Sequence, residues 1–282
     1  MYVDATLGAG GHAEGVLQAH PEIEVFYGFD QDQSALDIAK DRLSPWLGKL
    51  KLIHGNFAKS FKQVNQVDGI LMDIGVSSMQ LDQAERGFSF MHDGPLDMRM
   101  DSTAELTAAD VVNTYTEESL GKIFRDYGEE KRWRRAAAAL VEYRQKKTIE
   151  TTFDLKEALK HVLTPLKGKK SHPMTQVFQA LRIYVNSELD VLEKAIPQAI
   201  DVLKPGGVLG IITFHSLEDR MVKRAFQHAA SDKESTSGIA GVFIDKEPIV
   251  NLLTRKPIVP SVEEELENPR SRSAKLRVVE KR

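Results

Sequence analysis

Four stretches carry the residues able to do chemistry. They are Asp4-Ala5-Thr6-Leu7-Gly8-Ala9-Gly10-Gly11-His12, the lone Asp30, His54-Gly55-Asn56-Phe57, and Asp73-Ile74-Gly75. Glycines accept positive φ and let a ligand lie against bare backbone. A helix opening just after them offers unpaired N–H groups and a partial positive charge, suited to a carboxylate or a phosphate. Asp30, twenty residues beyond Gly10, is placed as the acid that accepts both hydroxyls of a ribose. The chemistry served is the binding of an adenosine-bearing cofactor. Gly8-x-Gly10-x-x-Ala13 is an admissible dinucleotide fingerprint, so NAD is one candidate. S-adenosylmethionine (AdoMet), with an adenosine and a carboxylate, is the other. A glycine turn of this kind also serves packing alone. Asp4 before the glycines could hold an ammonium group, Asn56 and Phe57 could face an adenine, and Asp73 stands where a transferred group would sit. These three features favour AdoMet. Taken singly, Phe57 is better read as core and Asp73 as a helix cap.

A parallel sheet would bring these stretches together. Apolar runs at 2–6, 25–30, 51–54 and 69–73 read as strands, and three of them end near an acid. Segments 13–19 and 34–43 between them have helical spacing. Strand–helix alternation implies a sheet with helices on its faces, and ligands bind beyond the carboxyl ends of such strands. The rhythm then stops. Thr107 precedes Asp110 by three residues and Thr151 precedes Asp154 by three, both capping-box patterns. Helices are expected over 129–147 and 154–163. The sheet rhythm resumes with a helix at 188–203, restarted or kinked at Pro197, then Lys204-Pro205-Gly206-Gly207 as its stop, a strand at 208–214 and a last edge strand at 275–280. The expected organisation is a discontinuous α/β domain, 1–103 with 179–282, interrupted by a helical insertion, 104–178.

The 282 residues are 41% hydrophobic and 28% charged, an ordinary globular mix, without cysteine. Disulfides, thiolate metal sites and a cysteine nucleophile are thereby excluded. The eight histidines show no paired ligand spacing, so no catalytic metal is expected. No apolar run approaches the roughly 20 residues that span a bilayer. The net charge of −3 hides an asymmetry. Residues 1–110 hold 17 acidic against 8 basic residues, whereas 122–147 hold 9 basic against 4 acidic and 270–282 hold 6 basic against 1 acidic. Such blocks permit nucleic-acid binding, although charge runs are commonly solvated helix faces.

Longer motifs add a resemblance. Asp4–His12, Asp73-Ile74-Gly75-Val76-Ser77-Ser78-Met79-Gln80-Leu81, Glu85-Arg86-Gly87-Phe88-Ser89-Phe90, Gly94-Pro95-Leu96-Asp97-Met98-Arg99-Met100-Asp101, Phe178-Gln179-Ala180-Leu181-Arg182, Phe214-His215-Ser216-Leu217-Glu218-Asp219-Arg220 and Pro269-Arg270-Ser271-Arg272-Ser273 resemble the MraW/RsmH family over nearly the whole chain. The resemblance implies a class I AdoMet-dependent methyltransferase fold, Rossmann-like and mostly parallel. It implies methylation of the exocyclic amine of one cytidine in the decoding region of 16S ribosomal RNA. It implies an AdoMet site of Gly10, Gly11, His12, Asp30, Phe57, Asp73 and Gln80. Family members usually carry about two dozen residues before the first strand, including a His-x-Pro-Val-Leu stretch. This sequence begins at Met1-Tyr2-Val3-Asp4, so a misassigned start or a fragment is expected.

Many amino-methyltransferases place Asn/Asp-Pro-Pro-aromatic after strand four; here Asp73-Ile74-Gly75-Val76 stands instead. Asp73 or a nearby backbone carbonyl is the candidate acceptor for the amine. His215, Ser216, Arg86 and Arg99 are candidates for the substrate side, with His215 equally readable as a structural residue. Segments 131–147, 167–170 and 270–282 are candidate RNA tracks. Trp133 and Tyr143 are read as core of the insertion rather than stacking platforms. The partner expected is 16S rRNA, within the small ribosomal subunit, in a bacterial cytoplasm and without membrane attachment. A homodimer is possible on sequence grounds, which leave the oligomeric state open. A nicotinamide oxidoreductase and a non-catalytic ribosome assembly factor with a vestigial cofactor loop are the competing readings.

Overall fold

Strands at the start and end of the chain share one sheet. The computed structural model describes residues 1–165, 172–235 and 243–282, and the chain divides into two units, Met1–Gly75 with Leu189–Arg282, and Val76–Glu188. The first unit begins β1 (Tyr2–Asp4), α1 (Gly11–Ala19), β2 (Phe26–Asp30), α2 (Gln33–Arg42), β3 (Leu50–His54), α3 (Phe57–Ser60) and β4 (Val67–Asp73). Its later part holds most of α10 (Glu188–Asp201), then β5 (Leu203–Thr213), α11 (Ser216–Ala229), β6 (Lys233–Ser235), β7 (Phe243–Asp245), β8 (Val250–Leu252), α12 (Val262–Glu267) and β9 (Lys275–Lys281). The seven-stranded order is β3-β2-β1-β4-β5-β9-β8. The first five strands are parallel; β9 runs antiparallel to both β5 and β8. This is the Rossmann-like, mostly parallel α/β sheet expected. The chain steps from β1 outward to β3 and then returns to place β4 on the other side of β1. The switch point of the sheet therefore lies between β1 and β4.

Both faces of the sheet are buried. On one, Ala13, Leu17, Leu36 and Leu43 pack against Leu7 and Phe26. On the other, Leu192, Ile196, Ala199 and Phe226 pack against Phe29, Ile70 and Met72. Two-sided burial explains why these strands read as near-continuous apolar runs.

Three local expectations are corrected. Pro197 does not restart a helix: α10 runs through it as a single element. Its apolar face of Leu192, Ala195, Ile196, Ala199 and Ile200 is buried, and that burial offsets the one backbone hydrogen bond that proline removes. Lys204-Pro205-Gly206-Gly207 does not precede β5 but forms its first turn of strand, with a shift of register between Val67 and Gly69. The strand at 275–281 is not at the edge: β8 lies outside it.

The second unit comprises α4 (Ser78–Asp82), α5 (Ala108–Thr114), α6 (Glu117–Asp126), α7 (Trp133–Arg144), α8 (Thr152–Leu159) and α9 (Met174–Val185). Thr107 and Thr151 close capping boxes with Asp110 and Asp154, as their spacing indicates. The units part at 75/76 and 188/189, where the sequence suggested 103/104 and 178/179. The reason is packing: Phe88, Leu96, Met98 and Met100 are buried with Val111, Phe124 and Leu140 in the core of the helical unit. Met98 adopts a left-handed conformation (φ 63°). Asn186 holds it there, donating to Met98 O (2.7 Å) and accepting from Met100 N (2.7 Å).

Candidate active site

The carboxyl ends of β1, β2 and β4 bring Asp4, Asp30 and Asp73 to one edge of the sheet, around the glycine turn. Gly8 and Gly10 are both left-handed (φ 52° and 81°). A Cβ on Gly10 would also press on Leu43 at 3.3 Å, so glycine is required there for conformation and for space. Gly10 is the N-cap of α1, and no side chain caps this helix. The N–H groups of its first turn, at Gly11 and His12, thus keep their capacity to donate to an anion.

Asp30 faces this turn. Its Oδ2 accepts from Gly8 N at 2.7 Å and its Oδ1 from Asp32 N at 2.9 Å. A carboxylate offers about four lone-pair sites, so capacity for a ribose remains. Burial raises the Asp30 pKa, opposed by these backbone donors. Asp73 is fixed from two sides: its N–H donates to Thr6 Oγ1 (2.6 Å), and its Oδ2 lies 3.2 Å from His12 Nε2. The hydrogen bond to Asp73 raises the pKa of His12, against the effect of its burial.

Asp4 is almost wholly buried. Oδ1 accepts from Thr6 N at 3.1 Å, while Oδ2 has no partner; Asp73 Oδ1 is likewise buried without one. Burial pushes the Asp4 pKa from 3.8 to about 7, with His12 and the Thr6 N–H pulling it back and Asp73 and Asp30 adding to the rise. A carboxyl that holds its proton more tightly when folded stabilises the fold at low pH. That contribution is lost as pH climbs from about 4 to about 7 and is level above. In urea unfolding, the isosteric Asp4→Asn variant should therefore gain stability relative to wild type between pH 5 and pH 8. A difference between the two proteins that stays constant over that interval would disprove the shift.

The other candidates are placed as follows. Phe57 opens α3 and packs partly on the core. Asn56 spends its Oδ1 capping α3 through Ala58 N (3.0 Å), and its Nδ2 lies 3.4 Å from Gln31 Oε1. His215 is the N-cap of α11, its Nδ1 accepting from Glu218 N at 3.4 Å. Its Nε2 sits 2.9 Å from Glu218 Oε1 in a geometry that makes no hydrogen bond. Glu218, which the sequence reading did not single out, closes this box by accepting from Phe214 N (2.9 Å) and His215 N (3.3 Å). Its offset of three from His215 is the only sequence cue. Ser216 follows, exposed at the first turn of α11.

Gln80, Arg86 and Arg99 belong to the helical unit. Gln80 is buried, and its Oε1 accepts from Ser77 N in a capping box. Arg86 donates to the carbonyls of Arg99 and Met100, both at 3.1 Å. Arg99 grips Asp97 through Nε (2.8 Å) and Nη2 (2.7 Å) and donates from Nη1 to Ala104 O; these bonds organise its own loop. Trp133 packs over Gly121 with the Arg134 guanidinium 4.0 Å from its ring, in keeping with a core role. Of the basic tracks, 167–170 lies outside the described residues, and Arg132, Arg144, Arg277 and Arg282 each make hydrogen bonds within the protein.

The residues present fit AdoMet. Two buried carboxylate oxygens lack partners, an uncapped helix faces the same edge, and open space lies beside Gly8. A family model described as the MraW methylase family matches residues 1–282. The chain belongs to the MraW methylase family. Ribosomal RNA small subunit methyltransferase H of Protochlamydia amoebophila (strain UWE25) is 56% identical over 287 residues, covering 100% of this chain and 91% of that protein. The protein of the same name from Clostridioides difficile (strain 630) is 49% identical over 288 residues, covering 100% and 92%. Among solved structures, an rRNA methylase from Streptococcus thermophilus is similar with a TM-score of 0.42 at 12% identity, over 99% of this chain and 85% of that one. As a member of the MraW methylase family, the chain is a methyltransferase. Among the described residues, no helix is long and apolar enough to cross a membrane.

Proposed function

We propose that this MraW methylase transfers a methyl group from AdoMet to the exocyclic 4-amino group of a cytidine in the decoding region of 16S rRNA, presented within the small ribosomal subunit in the bacterial cytoplasm. The observation that carries the cofactor choice is the pair of unpartnered buried oxygens, Asp4 Oδ2 and Asp73 Oδ1, at the β1/β4 edge. With Asp30 they make an anionic crevice in which His12 is the one neighbouring cation among the electrostatic partners of Asp4. A dinucleotide would bring a pyrophosphate against these carboxylates; AdoMet brings an ammonium and a sulfonium. Coulomb energy in a partly buried site decides for the cation, and the oxidoreductase reading is not favoured. The RNA assignment is supported by the names of the two relatives.

AdoMet supplies an electrophilic methyl group. The residues of this chain bind, orient and manage the proton. Asp30 takes the ribose hydroxyls, the first turn of α1 takes the carboxylate, and Asp4 takes the ammonium. Phe57 adds to the cofactor side of this unit, and His215 and Ser216 to its substrate side; Gln80 is a cofactor candidate and Arg86 a substrate candidate within the helical unit. A cytosine amine is a weak nucleophile because its lone pair is delocalised into the ring. Asp73, held by His12 through Oδ2, turns Oδ1 to one N–H of that amine, localises the lone pair and accepts the proton the nitrogen sheds. Positioning supplies most of the rate. The helical unit is the substrate-recognition element in this reading.

Transfer of labelled methyl from AdoMet to purified small ribosomal subunits, with mapping of the modified nucleotide, tests the reading. Label on the 4-amino group of one decoding-region cytidine is expected. Label on protein, on another nucleotide or nowhere would overturn it.

A further inference from the structure

Away from the crevice, α11, β9 and the segment after β8 enclose an open cleft of about 230 Å³, counting solvent at its mouth. Lys223, Gln227, Thr254, Arg255 and Arg277 line it, together with apolar Phe226 and Leu252; none of its lining residues is acidic. Arg277 is buried and anchored to Asp219 by Nε (2.7 Å) and Nη2 (3.3 Å), which fixes the guanidinium at the floor. Lys223 and Arg255 are exposed and make no ion pair among the described residues. Arg224 and Lys256 adjoin them in sequence and are also exposed. Cations toward the end of α11 by themselves suit the helix dipole. Arg255 and Arg277 come from other elements, however, and their convergence on the same cleft has no such explanation.

Resting on the methyl-transfer reading above, we propose that this cleft is a phosphodiester subsite that seats a backbone phosphate of the substrate RNA, a few nucleotides from the base being methylated. The sheet supports the spacing. Arg277 pairs with Ile211 of β5, and β5 pairs with β4, whose last residue is Asp73. Two to three strand spacings, about 10–15 Å, separate the cleft from the methyl-transfer edge. One side of the first unit thus holds a strand by its backbone while the crevice edge takes the base. Backbone contacts set register without reading sequence.

The test is the double variant Lys223→Glu/Arg255→Glu, with binding to purified small ribosomal subunits measured over a range of KCl concentrations and AdoMet binding measured by calorimetry. Expected are unchanged AdoMet affinity, subunit affinity lower by about tenfold or more, and a log K against log salt slope shallower by about 0.7–0.9, the contribution of the one phosphate contact. Lys40→Glu/Lys62→Glu changes the net charge equally at exposed sites elsewhere on the unit and should leave affinity and slope near wild type. Wild-type slope and affinity in the cleft variant, or equal losses in both variants, would overturn the subsite while leaving the methyl-transfer reading intact. If the wild-type protein neither binds nor methylates small subunits, both fall together.

Discussion

Asp30→Ala should weaken AdoMet binding by about 100-fold. Two hydroxyl hydrogen bonds to a carboxylate are worth roughly 1.5–3 kcal/mol each. The lower end of that range gives about 3 kcal/mol, or two factors of ten. A second loss compounds the first. Asp30 Oδ2 is also the acceptor for Gly8 N, so alanine leaves the glycine turn without its tether. Asp30→Asn separates the contributions. It retains an oxygen for Gly8 and the shape of the turn, and should lose only about tenfold. Calorimetric titration of both variants reads the difference. Binding by Asp30→Ala within threefold of wild type would remove Asp30 from the cofactor site, and with it the reading of the crevice.

Asp73→Asn should lower turnover by about 100-fold while changing AdoMet affinity only a few-fold. The amide keeps an oxygen to accept from the amine, but it cannot take up the proton that leaves the nitrogen. A positioned proton acceptor contributes about 10²–10⁴ in rate. Asp73→Ala should lose more, because His12 then loses its anchor as well. Single-turnover methylation of small subunits at saturating AdoMet isolates the chemical step. An alanine variant with wild-type turnover and normal AdoMet affinity would leave a backbone carbonyl as the acceptor.

The parts of this protein most legible from sequence are those with local causes. The apolar runs ending in Asp30 and Asp73 mark strand ends, and the Thr107 and Thr151 boxes depend on partners three residues away. The crevice was legible for the same reason: glycines, acids and strand ends are written consecutively. What escaped depends on distance. The 76–103 segment joins the helical unit through Phe88, Leu96, Met98 and Met100, whose spacing in a largely irregular stretch follows no helical or strand period. β8 is three residues long and carries no pattern. The pairing of His12 with Asp73 spans 61 positions, and that of Arg277 with Asp219 spans 58. No periodicity reports contacts of that range. Arg99 shows the other side of this: a charged residue in a motif invites a substrate role, and only the structure shows that its donors also organise the loop that carries it.

The split of the sheet across the two ends of the sequence bears on how the molecule is made. β1 lies at the heart of the sheet, but its neighbours there include β4, whose outer partner β5 begins only at Leu203. Residues 76–188 are contiguous and have a core of their own. During translation this block can settle while the nascent chain is still growing, whereas β1–β4, able to pair with one another, must wait for β5 to cover the outer edge of β4 and for the later helices to cover one face. Their exposed apolar edges make the interval after Asp73 emerges the period of greatest aggregation risk. Closure of the core beneath the crevice is consequently a late event, since Leu192, Ile196 and Phe226 are supplied only by the C-terminal third.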